Sequence, residues 1–147
     1  MSENWPVAVW TLARYKRKSD IGIIKKAFNN PDTEDYAIRA AIITPDSSFY
    51  ISLTKIFERE WAKQLYNFQK WQLIYKALAK YPHHSETLAL FNRTVSTTDE
   101  FRYKALGADL LIAITKYHHP IYDPIKKQIK LDEYEMREVK DAVNGND

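Results

Sequence analysis

Apolar residues recur at threes and fours along most of this chain, and no stretch alternates at twos, so the pattern predicts helices and no strands. A first helix opens at Trp5-Pro6, where proline suits the first turn, and carries Val9, Trp10, Leu12 and Ala13. It closes in the basic run Arg14-Tyr15-Lys16-Arg17-Lys18, a placement the negative end of the helix dipole favours. Ser19 caps a second helix with Ile21, Ile23, Ile24, Ala27 and Phe28, and Asn29-Asn30-Pro31-Asp32 stops it. Tyr36, Ala37, Ala40, Ala41 and Ile43 then mark a third, closed by Pro45.

From Ser47 to Tyr81 neither glycine nor proline interrupts a run with Phe49, Leu53, Ile56, Phe57, Trp61, Leu65, Phe68, Trp71, Ile74 and Leu78 on helical spacing. One helix of that length is rare where the mean is about 11–12 residues, so a break is expected near Asn67. Pro82 ends the run, and Ser85-Glu86 caps a helix with Leu88, Leu90, Phe91 and Val95. Thr97-Thr98-Asp99 opens another, whose second half is apolar almost all round and therefore central to the core. After His119-Pro120 and a linker to Pro124, one amphipathic helix is expected to Val143, followed by a frayed tail, residues 144–147. The reading is a single all-α domain, 1–147, with its helical core in 1–120 and a C-terminal helix in 121–143.

Two local patterns repeat. Thr33, Glu34-Asp35, Tyr36, Arg39 and Ala40 match Thr98, Asp99-Glu100, Phe101, Lys104 and Ala105 at an offset of 65. Ile74, Ala77, Leu78, Lys80 and Tyr81 match Leu110, Ala113, Ile114, Lys116 and Tyr117 at an offset of 36, and such spacings are what helical-hairpin repeats produce. The turn Asn30-Pro31-Asp32, with Arg39 and Ala40-Ala41 in the following helix, resembles a HEAT repeat. The second unit matches less closely, with no proline in its turn and Lys104 in place of arginine. The resemblance covers residues 20–45 and 85–117 and implies six to eight helices, stacked as antiparallel hairpins in a short right-handed superhelix. It also implies that Arg39 bridges to an acid of the adjoining turn. It transfers no active site.

Composition narrows the setting. The chain has 147 residues and no cysteine, which excludes a disulfide framework and a thiolate metal site. Met1-Ser2-Glu3-Asn4-Trp5-Pro6 lacks the basic-then-apolar form of a secretion signal, and no apolar run reaches the 18 or so residues of a membrane span. A cytoplasmic protein is expected. The net charge is +3, but residues 1–30 carry six basic and two acidic side chains, and residues 131–147 two basic and six acidic. An anion-binding start and a partner-contacting or self-contacting acidic end are the functional readings of that asymmetry, and solvated helix faces are the plain one.

Candidate chemistry is sparse. His83-His84 and His118-His119 both follow helices about one repeat apart, which places them roughly 10 Å from each other and raises divalent-metal binding with Glu86. Histidine at helix C-termini is ordinary capping chemistry, so no metal site is expected. Some HEAT-like proteins are DNA glycosylases that use an aspartate framed by aromatics; Asp109 is the one carboxylate the pattern would bury, and a paired structural role suits it better. No Gly-rich phosphate loop, nucleophile elbow or zinc-protease motif occurs, so neither catalysis nor a cofactor is expected. Trp61, Tyr66, Trp71 and Tyr75 crowd one stretch and cannot all point inward, which suggests an aromatic surface for a protein partner, as in an adaptor or assembly subunit. The alternative is nucleic-acid binding through Arg14, Lys16, Arg17, Lys18, Lys25 and Lys26.

Overall fold

The computed structural model describes residues 21–145. The expected first helix, with Arg14, Lys16, Arg17 and Lys18, lies outside the described residues, as do Asn146 and Asp147. The described chain is all-α, with eight α-helices and two short 3-10 turns and no strand among those residues. It divides between Ala77 and Leu78 into two compact units, each considered by itself below.

In the N-terminal unit, α1 (Ile21–Ala27) and α2 (Glu34–Ile43) form a hairpin. The Asn30 side-chain oxygen accepts from the Asp32 amide at 2.9 Å, and the buried Thr33 hydroxyl donates to the Ala27 carbonyl at 2.8 Å. These bonds replace the polar partners the turn would otherwise take from water, so the helices can close tightly. Ile24 of α1 and Ala37, Ile38, Ala40 and Ala41 of α2 are buried, and the small alanines permit close approach of whatever packs on them. Asp46 caps a 3-10 turn, Ser47–Phe49, by accepting from the amide and hydroxyl of Ser48. Those hydrogen bonds hold its carboxyl below the ordinary aspartate range.

The run from Ser47 to Tyr81 is indeed interrupted. α3 (Tyr50–Trp61) and α4 (Phe68–Ala79) are separate helices, and the Asn67 side chain starts the second by accepting from the Lys70 amide at 3.1 Å. Leu53, Ile56, Phe57 and Glu60 recur on the inward side of α3; Trp71, Ile74, Tyr75 and Leu78 do so on α4.

In the C-terminal unit, α5 (Ser85–Ser96) and α6 (Glu100–Lys116) pack together. The cap of α5 is His84, through its backbone alone, and not Ser85, which is the first helical residue. Asp99 caps α6 as the spacing predicts, accepting from the Arg102 amide. Leu106, Leu110, Leu111, Ala113 and Ile114 of α6 are buried, in line with its apolar second half.

Beyond His119 the expected single helix is two. A 3-10 turn at Pro120–Tyr122 leads into α7 (Asp123–Gln128), and α8 (Glu133–Asn144) starts afresh. A reciprocal capping box restarts the helix: Asp132 accepts from the Glu135 amide at 2.7 Å, while the Glu135 carboxylate accepts from the Asp132 amide. The Tyr103 hydroxyl fixes the break by donating to the Gln128 carbonyl and accepting from the Lys130 amide. α8 lies along α6. Asn144, expected in the tail, is the last residue of α8.

Candidate functional site

The connection between α3 and α4 carries exposed apolar residues and is flanked in sequence by members of a buried charge network. Glu34, first residue of α2, is only 4% exposed and receives both terminal nitrogens of Arg59, Nη1 to Oε2 at 2.8 Å. Lys70 Nζ lies 2.6 Å from Oε1 of the same carboxylate and 3.2 Å from Oδ1 of Asp35. Glu60, equally buried, accepts from Arg59 Nε at 3.1 Å and from Lys63 Nζ at 2.7 Å. Three carboxylates thus face three cations drawn from α2, α3, α4 and the α3–α4 connection. Burial pushes the Glu34 carboxyl up, but the hydrogen bonds of Arg59 and Lys70 outweigh it and hold the group below its usual range. Burial likewise opposes the charge on Lys70, and the Glu34 carboxylate overcomes that and holds the ammonium above its ordinary value.

Sequence reasoning missed this network. It named Asp109 as the one buried carboxylate; Asp109 is buried, yet Glu34 and Glu60 are more deeply so. Arg39, expected to bridge to an acid, is exposed, and the acids pair with Arg59 and Lys70 instead.

The four aromatics proposed for a partner divide. Trp71 and Tyr75 have no exposed surface and cannot be contact residues in this fold. They share the inward side of α4 with Ile74 and Leu78; Trp71 meets Phe57 edge-on at 5.1 Å and stacks on Tyr75 at 5.4 Å. Trp61 and Tyr66 are half-buried. Trp61 stacks on Phe57 at 5.6 Å, and Tyr66 packs edge-on against Phe68 at 6.1 Å. The residues that do face solvent are Leu65, 88% exposed, and Phe68, 45% exposed. Phe68 belongs to the same aromatic stretch, of which some members are expected at the surface, whereas Leu65 falls on the helical apolar spacing and is exposed because the break before Asn67 leaves it in neither helix.

Of the basic set, Lys25 and Lys26 are exposed in the last turn of α1. In the C-terminal unit, His83 and His119 approach closer than the sequence suggests, rings edge-on at 5.3 Å. His119 Nδ1 accepts from the Ile121 amide at 3.2 Å, a capping role for that ring. His118 Nε2 lies 3.4 Å from Asp123 Oδ1. Among the described residues no group of three or more histidines and carboxylates is placed to hold a metal ion, and no helix is long and apolar enough to cross a membrane.

Neither known protein-family models, nor curated proteins, nor solved structures give a match to this chain.

Proposed function

We propose that this chain is a non-catalytic interaction module whose α3–α4 corner, Trp61 to Phe68, docks on a protein partner. The observation that carries the reading is Leu65, a large aliphatic side chain 88% exposed in the same short stretch as the 45% exposed Phe68 and the half-buried Trp61 and Tyr66. A bare leucine is common on surfaces; one that shares a stretch of eight residues with three aromatics has the composition of an interface core. The charge around it defines the partner's chemistry. Arg59 and Lys63 are about half exposed, whereas the acids that pair with them, Glu34 and Glu60, are buried. A partner therefore meets apolar residues edged by cations, which suits an apolar pocket rimmed by carboxylates. The network ties α2, α3 and α4 together, so the corner is held in shape before binding and loses little entropy on docking. The tight α1–α2 hairpin with its buried alanines supports the HEAT-like reading of the architecture within the same proposal.

The test is a photoreactive side chain at position 65 in extract of the source cells, compared with the same probe at the exposed Lys55 of α3. A product formed at 65, absent at 55, and competed by unlabelled protein but not by its Leu65→Asp/Phe68→Asp variant, supports the reading. The same products at both positions, or none at 65, overturn it.

A second reading, nucleic-acid binding, draws on Lys25 and Lys26, both exposed in the last turn of α1, and in sequence on the basic set Arg14, Lys16, Arg17 and Lys18. It separates from the first on salt. Oligonucleotide binding through those cations weakens steeply as salt rises and is lost on charge reversal at Lys25 and Lys26, whereas apolar docking at Leu65 is little changed.

A further inference from the structure

We infer that the cleft between α6 and α8 binds a free single-chain amphiphile with an anionic head, of the fatty-carboxylate type. The cleft is open, has a volume of about 600 Å³, and has Leu111, Met136, Val139 and Val143 along its floor. That size lies within the range of about 300–1,000 Å³ that small-molecule sites occupy. Leu111 and Val139 are buried, but Met136 remains 44% exposed, so apolar surface is left for an alkyl chain.

Charge selects the head group. The C-terminal segment is strongly acidic in sequence, yet both cations of α8, Arg137 and Lys140, line the cleft, and Lys126 of α7 joins them. Of the four acids in α8, only Glu133 does so; Glu135, Glu138 and Asp141 do not. The helix thus sorts its charges, with cations toward the apolar floor and most carboxylates elsewhere. None of Arg137, Lys140 and Lys126 forms an ion pair among the described residues. An apolar floor bordered by three cations against one carboxylate is complementary to an alkyl chain ending in an anion, and mismatched to a cationic or neutral amphiphile. The long stems of Lys126, Arg137 and Lys140 can lie along the chain while their heads reach the carboxylate.

Methionine gives a direct reporter, because the chain has two, Met1 and Met136. With methyl-¹³C methionine in the full chain, Met136→Leu assigns the cleft resonance. Decanoate, kept as a monomer below its micellar concentration, should shift that resonance saturably. Shortening the chain should weaken binding about two- to fourfold per methylene. Decyltrimethylammonium and decyl glucoside should bind at least tenfold more weakly. The variant Arg137→Glu/Lys140→Glu, altered at exposed positions and checked by far-UV circular dichroism, should lose decanoate binding by tenfold or more and gain affinity for the cationic amphiphile. No saturable shift overturns the proposal, and so does equal binding of all three head groups. A charge-reversed variant that still binds decanoate overturns it as well, as does a response confined to phosphatidylglycerol vesicles.

Discussion

Replacing Glu34 by glutamine keeps the side chain's shape and removes its charge, and the structure says what that should cost. Glu34 takes both terminal nitrogens of Arg59 and the ammonium of Lys70. Stranding the partner of a fully buried ion costs about 3–5 kcal/mol. Arg59, however, is 45% exposed and can turn to water, so its share falls to the exposed-pair range of up to about 1 kcal/mol. Lys70 is 15% exposed and keeps only Asp35, a half-exposed acid at 3.2 Å. The expected loss is therefore about 2–3 kcal/mol. Adding Lys70→Met removes the stranded cation and should restore about 1 kcal/mol or more, a coupling typical of residues in one network. Urea denaturation followed by tryptophan fluorescence is the assay. Trp61 stacks on Phe57 at 5.6 Å and Trp71 is fully buried in α4, so the fluorescence change follows the packing of the two helices that supply Arg59 and Lys70. A loss below about 0.5 kcal/mol, or a double variant no more stable than Glu34→Gln alone, would refute the reasoning and reduce the network to a surface pair.

The same network predicts two pH limbs. Because the folded Glu34 pKa lies below its unfolded value, its contribution is complete above about pH 5 and is lost as pH falls through the folded value; the Glu34→Gln variant should flatten that acid limb in denaturant titrations. Lys70 behaves in mirror image: its folded pKa is raised, so its contribution is complete below its unfolded value near 10.4 and disappears as pH rises through the folded one, and Lys70→Met should remove the alkaline limb. Trp71→Ala should cost about 3–5 kcal/mol by urea melt and leave any Leu65 photoproduct unchanged once folded, whereas a lost photoproduct at unchanged stability would restore Trp71 as a contact residue. Gly107→Ala in α6 should stabilise by about 0.5–1 kcal/mol, because an added Cβ would sit 3.8 Å from Ile129 Cγ2, an ordinary contact; a lower thermal midpoint by circular dichroism would mean the helix cannot accept it.

The helices were legible because each has an apolar side at threes and fours and a chemical stop. Asp99, Asn67 and Pro45 act within a few residues of themselves, and local rules suffice for them. The burial of Trp71 and Tyr75 was legible too, since residues 71, 74, 75 and 78 share one side of a helix. Crowding of aromatics along the chain masked that periodicity and suggested a surface. The division of the last helix at Asp132 was available from the Asp132/Glu135 spacing of a capping box, but the apolar residues Ile125, Ile129 and Leu131 spanned it and suggested continuity. The Glu34 network was beyond reach. Glutamate at a helix start is favourable in water for dipole reasons alone, and nothing near it in sequence signals that cations from two other segments will cover it.

Glu34 meets Arg59 across 25 residues of chain and Lys70 across 36. Charges give up water only when the surrounding surfaces are nearly in place, so these bonds are expected to close after the helices have formed and collapsed, and a φ-value near zero for Glu34→Gln is the check. Interactions absent from the rate-limiting step leave the folding rate alone and act on the reverse reaction. On that expectation the network should govern how long the N-terminal unit stays folded and should have little influence on how fast it gets there. Weakening the network would shorten the lifetime of the corner that carries Leu65 well before any unfolded population became visible at equilibrium.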